Sequence, residues 1–156
     1  DMINNDILRR LRYALNISNS DMAEIFSHSG YEISEGDILD LLKKEEDEGY
    51  TLCSDKLLGI FLDGLIIHKR GRKEGEVPSA VKPSTRLTNN DILKKIRVAL
   101  NYKDDDMMEI FRLAESEISK PELSALFRKK DNKNFKLCKD QLMKAFLKGL
   151  TIKYRK

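Results

Sequence analysis

Shifted by 85 positions, the chain falls onto itself: Asn4–Arg70 aligns with Asn89–Arg155 without a gap, and 29 of those 67 positions are identical. An ungapped register of this quality is a tandem duplication, and it requires each copy to build the same supersecondary unit. Asn4-Asn5-Asp6-Ile7-Leu8 returns as Asn89-Asn90-Asp91-Ile92-Leu93, and Asp21-Met22 with Glu24-Ile25-Phe26 as Asp106-Met107 with Glu109-Ile110-Phe111. Leu52-Cys53, Phe61-Leu62 and Gly64-Leu65 return as Leu137-Cys138, Phe146-Leu147 and Gly149-Leu150. Between the copies, residues 71–86 carry two glycines, Pro78, Pro83 and small polar residues. Such a composition buries little apolar surface and reads as a linker. The chain therefore divides into a first repeat at 2–70, the linker at 71–86 and a second repeat at 87–156.

Each copy reads as four helices. Ile7, Leu8, Leu11, Ala14 and Leu15 form one helical stripe, with Asn4 or Asn5 as the N-cap and Asn16 as a left-handed C-cap. Met22, Ile25 and Phe26 mark a second helix. The third opens on Ser34-Glu35-Gly36-Asp37, answered by Ser119-Lys120-Pro121-Glu122, a serine cap followed three residues later by an acid. The fourth carries Leu57, Phe61 and Leu65, with Gly64 beside them to admit a close neighbour. No segment alternates with period two. The fold expected is all-α: two tandem pseudo-equivalent four-helix repeats. A unit of 67 residues is marginal alone, so the repeats are expected to pack together or on a second chain.

The Asn-Asn-Asp openings, the helix ends Arg12-Tyr13-Ala14-Leu15-Asn16 and Arg97–Asn101, and the doubled Leu-Cys-x-Asp at Leu52–Asp55 and Leu137–Asp140 resemble the YehS-like family. That family comprises small bacterial proteins built from a duplicated domain of unknown function. The resemblance covers essentially the whole chain and implies a bacterial cytosolic protein. It implies no activity and no catalytic residues.

The polar positions shared by the copies have structural readings. Arg12 and Arg97 lie at the margin of the buried stripe, where an ion pair with a shared acid such as Asp21 or Asp106 is expected, the alkyl stem covering core atoms; the competing reading is ligand binding. Asp55 and Asp140 fall in the first turn of the fourth helix and offset its dipole. Cys53 and Cys138 read as small buried residues rather than reactive thiols. His28 and His68 are replaced by Leu113 and Lys153 in the other copy, and neither stands at a metal-ligand or catalytic spacing. No phosphate loop or nucleophile elbow occurs. We therefore expect no enzyme, no cofactor, no metal and no small-molecule substrate. The most apolar stretch, Leu57–Ile67, is interrupted by Asp63 and too short to span a bilayer. With two cysteines and no signal-like start, a cytoplasmic location is expected.

Charge separates the copies. Residues 1–70 hold 8 Lys/Arg against 14 Asp/Glu, net −6, whereas residues 87–156 hold 17 against 10, net +7. Lys43-Lys44-Glu45-Glu46-Asp47-Glu48 becomes Arg128-Lys129-Lys130-Asp131-Asn132-Lys133, and Gly59 and Asp63 become Lys144 and Lys148. The basic set is Lys129, Lys130, Lys133, Lys136, Lys139, Lys144, Lys148, Lys153, Arg155 and Lys156, with Phe135 and Tyr154 as stacking candidates. The leading function is a non-catalytic helical interaction module that binds a protein partner or self-associates. The alternative is nucleic-acid binding by the second repeat. A helix-turn-helix is disfavoured, because the turn after Phe26 exceeds the motif's usual length and the would-be reading helix carries Glu35, Asp37 and Asp40.

Overall fold

The computed structural model describes residues 2–72 and 86–155. Most of the expected linker, residues 73–85, lies outside them, as does Lys156. Among the described residues every regular element is a helix. The first repeat holds α1 (Asn4–Ala14), α2 (Asn19–His28), α3 (Glu35–Leu42) and α4 (Asp55–Arg70). The second holds α5 (Asn89–Leu100), α6 (Asp104–Leu113), α7 (Lys120–Leu126) and α8 (Asp140–Tyr154).

Local chemistry sets the helix ends. Ser18, Ser34 and Ser54 each accept a backbone N–H through the side chain at the starts of α2, α3 and α4. Ser119 and Glu122 cap α7 reciprocally. Asn16 and Asn101 close the first helix of each repeat with φ of 53° and 55°, a left-handed turn that asparagine tolerates. The expected cap at Asn4 or Asn5 is not what starts α1. Ile3 holds the N-cap position, and its N–H donates to the Asp6 carboxylate. Both asparagines are committed elsewhere.

Asn5 is fully buried, and its side-chain amide donates to the carbonyls of Leu41 and Thr51 at 3.0 and 2.8 Å. Its Oδ1 accepts from the Cys53 N–H at 2.9 Å. Asn90 repeats this on Leu126, Lys136 and Cys138. The loop before the last helix of each repeat is thereby tied to the first helix, satisfying backbone groups that burial would leave unpaired.

Within a repeat the closest crossing is made by glycine. A Cβ at Gly64 would fall 1.9 Å from the Ile25 carbonyl oxygen, and one at Gly149 2.0 Å from that of Ile110, so only glycine lets α4 lie on α2 and α8 on α6. Phe26 and Phe61 meet beside that crossing with ring centroids 5.4 Å apart, as do Phe111 and Phe146. Leu58, Phe61, Leu62 and Leu65 are buried on α4, while Leu57, expected in the core, is only half-buried. The rotation of the stripe follows from α4 being covered on two sides.

The second covering helix comes from the other repeat. α4 packs against α5 and α8 against α1, so each repeat's last helix carries the other's first helix. Asp55 accepts from the Asn4 side chain at 2.8 Å and from the Leu87 N–H at 3.1 Å. Asp140 does the same with Asn89 and Met2, at the same distances. These two carboxylates therefore join the repeats as well as starting helices. The two repeats thus pack on each other within one chain.

Candidate interaction groove

The pseudo-symmetry makes the two inter-repeat seams directly comparable. On the α4–α5 seam, Lys95 and Asp63 form an ion pair at 2.5 Å. Their equivalents on the α1–α8 seam are Arg10 and Lys148, two cations. Here the surface opens into a groove of about 1160 Å³ lined by both of them. One seam carries an ion pair of its own, and the other is lined by Arg10 and four lysines against one carboxylate, Glu115.

Lys136, Lys139, Lys144 and Lys148 line this groove, and all four are exposed. Its floor includes Phe135, Leu137, Leu142, Ala145 and Ile152; Leu137 is 52% exposed. Lys136 reaches Glu122 at 3.2 Å, a solvent-exposed pair of little energetic weight. Among the described residues no ion pair engages Lys139, Lys144 or Lys148; Lys144 helps, after the Asn89 and Met2 hydrogen bonds, to hold the Asp140 carboxyl below its ordinary value.

The remaining basic residues sit elsewhere. Lys129, Lys130 and Lys133 are exposed on the loop between α7 and α8 and do not line the groove. Arg155 crosses to the first repeat, donating to Asn16 Oδ1 at 2.9 Å with its guanidinium 4.4 Å from the Tyr13 ring centre. Tyr154 shares a hydroxyl–hydroxyl hydrogen bond with Tyr102, whose phenol is raised by burial first and then by that bond. Of the two stacking candidates only Phe135 belongs to the groove. Arg10 is the groove residue that spacing within the second repeat conceals, because the first repeat supplies it. Its signal was the pairing of position 10 with 95 and of 148 with 63 across the duplication.

The shared arginines meet partners other than the acids expected. Arg97 donates to Asp104 at 2.6 Å and to the Tyr102 carbonyl at 3.0 Å, and stacks on Phe127. Arg12 meets Asn19 at 3.2 Å, an amide where the second repeat has the acid. Asp106 caps α6 by accepting from the Lys103 N–H, and Asp21 occupies the first turn of α2. Both thiols are buried, and burial first, then the adjacent aspartate, pushes Cys53 up to about 12 and Cys138 to about 11. At neutral pH they are protonated and poor nucleophiles.

The two histidines, which stand at no metal-ligand spacing along the chain, lie half-buried on α2 and α4 and meet there. His28 Nε2 is 3.3 Å from His68 Nδ1 across 40 residues of sequence.

A family model described as a protein of unknown function, DUF1456, matches residues 4–71 and again 89–156. The chain belongs to the DUF1456 family. It is 41% identical over 149 residues to the uncharacterized protein YehS of Escherichia coli (strain K12), covering 96% of this chain and 94% of that protein. No solved structure matches. The two matches fall one on each repeat, so each DUF1456 unit is the four-helix element described above. The family carries no assigned activity. No helix among the described residues is long and apolar enough to cross a membrane.

Proposed function

We propose that this protein is a non-catalytic interaction module that binds an acidic, amphipathic helical segment of a protein partner in the α1–α8 groove. The observation that carries this reading is the replacement of the Lys95–Asp63 pair by Arg10 and Lys148 at the equivalent seam. An anionic guest would neutralise the two cations that stand where the other seam has an ion pair. The lysine walls draw an acidic partner in and set its register, while the floor of Phe135, Leu137, Leu142, Ala145 and Ile152 takes its apolar stripe. A nucleic-acid backbone would neutralise the lysines and leave that floor without a partner.

The second reading, nucleic-acid binding, is favoured by Lys129, Lys130 and Lys133, which stand exposed and unpaired among the described residues. Anisotropy separates the two. The probes are a labelled helical peptide with glutamates on one face and leucines on the other, a scrambled peptide of the same composition, and an oligo-dT strand. The groove reading expects the amphipathic peptide to bind tighter than both others, and to lose affinity with Lys144→Glu and Lys148→Glu together. Equal binding of the two peptides overturns it. Tightest binding of oligo-dT, falling steeply with salt, replaces it with the nucleic-acid reading.

A further inference from the structure

The structure assigns a second site, unconnected to the groove. We propose that Glu24, His28 and His68 bind one divalent transition-metal ion of the Zn²⁺ or Co²⁺ type. Glu24 and His28 stand four residues apart and share one face of α2, and His68 comes from the last turn of α4. One ligand atom from each lies within 4.8 Å of the others. Two imidazole nitrogens on a tetrahedral zinc, each at about 2.0–2.1 Å, stand about 3.3–3.4 Å apart. The His28–His68 separation of 3.3 Å is that edge, and it is long for a direct nitrogen–nitrogen hydrogen bond.

The scaffold holds the pair rigidly. Gly64, one turn before His68, lies against the carbonyl of Ile25, one turn before His28, so the crossing fixes the backbone positions from which both rings reach. Both histidines also sit in the last turns of their helices, where the carbonyl ends of the dipoles favour a cation. Arg72 is the opposing charge, held at the main chain by donating to the His28 carbonyl at 2.6 Å. Glu24 is exposed, so its carboxylate is free to close on the ion and a fourth position stays open to solvent.

The second repeat is an internal control. It has the same glycine crossing and keeps Glu109, yet carries Leu113 and Lys153 at the histidine positions. The crossing therefore does not require a histidine pair, and its presence in the first repeat needs another reason. Imidazole nitrogens with one carboxylate are borderline ligands, suited to zinc, cobalt or nickel rather than calcium or magnesium.

The test uses tag-free full-length protein, freed of metal with a chelator. Zn²⁺ is titrated in competition with a chromogenic chelator, and Co²⁺ is followed by the visible absorption of its tetrahedral complexes. One equivalent per chain at micromolar affinity or tighter is expected. Glu24→Gln should weaken binding at least about 10-fold, the loss that even an outer partner of a metal ligand brings. His28→Leu with His68→Lys, which installs the second repeat's own residues, should abolish it while circular dichroism stays unchanged. Affinity no better than millimolar, or binding that survives the double substitution, overturns the assignment and leaves a hydrogen-bonded histidine pair.

Discussion

Asn5 shows how much one side chain can hold here. It joins α1 to one carbonyl at the end of α3 and two backbone groups of the loop before α4, and Asn90 does the same in the second repeat. Asn5→Ala would leave the carbonyls of Leu41 and Thr51 and the N–H of Cys53 unpaired in a buried setting. Each unpaired group costs about 1–3 kcal/mol, so a loss of about 3 kcal/mol or more is expected from urea unfolding. A loss below about 1 kcal/mol would mean that water takes over those bonds. The doubled Asn-Asn-Asp was visible in the sequence, and its reading as a helix cap was the natural local one. What it missed is that an asparagine side chain also reaches backbone more than 35 residues away, which no local pattern encodes. Arg12 and Arg97 follow the same logic: their place at the edge of the stripe was legible, but their partners at positions 19 and 104 were not.

At the scale of helices, apolar stripes located the first, second and fourth helix of a repeat and serine caps the third, and the paired glycines pointed to a close crossing. Spacing could not say which helix would cross, and it placed Leu57 rather than Leu58 in the core, because α4 is covered on two sides instead of one. The two seams then differ in charge, most directly where Asp63 of α4 is answered by Lys148 of α8. Lys148→Asp would give α8 the residue that α4 carries at position 63, facing Arg10 as Asp63 faces Lys95. It should raise stability by about 0.2–1 kcal/mol, the range for an exposed ion pair. The same change should weaken binding of the acidic peptide severalfold, chiefly through slower association. Stability from chemical unfolding and affinity from anisotropy thus move in opposite directions; a change that lowers both would show that Lys148 serves the fold rather than the groove.

In the whole molecule, each repeat's first helix covers the other's last, and Asp55 and Asp140 each hold a backbone N–H from across the seam. Neither repeat completes its core alone, so a single cooperative urea transition is expected, with amide protection lost from both repeats together. Two separate transitions would show that the repeats are independent bodies. The duplication, the all-helical character, the starts of the third helices at Ser34 and Ser119 and the opposite charges of the copies were determined by the sequence itself, since periodicity, capping and charge act over a few residues and can be counted. The tertiary structure alone decided three things: that α1 lies on α8 and α5 on α4, that Arg10 joins the lysines of the second repeat, and that His28 meets His68. Each depends on where helices cross, and that is set by the summed burial of whole faces, not by any spacing along the chain.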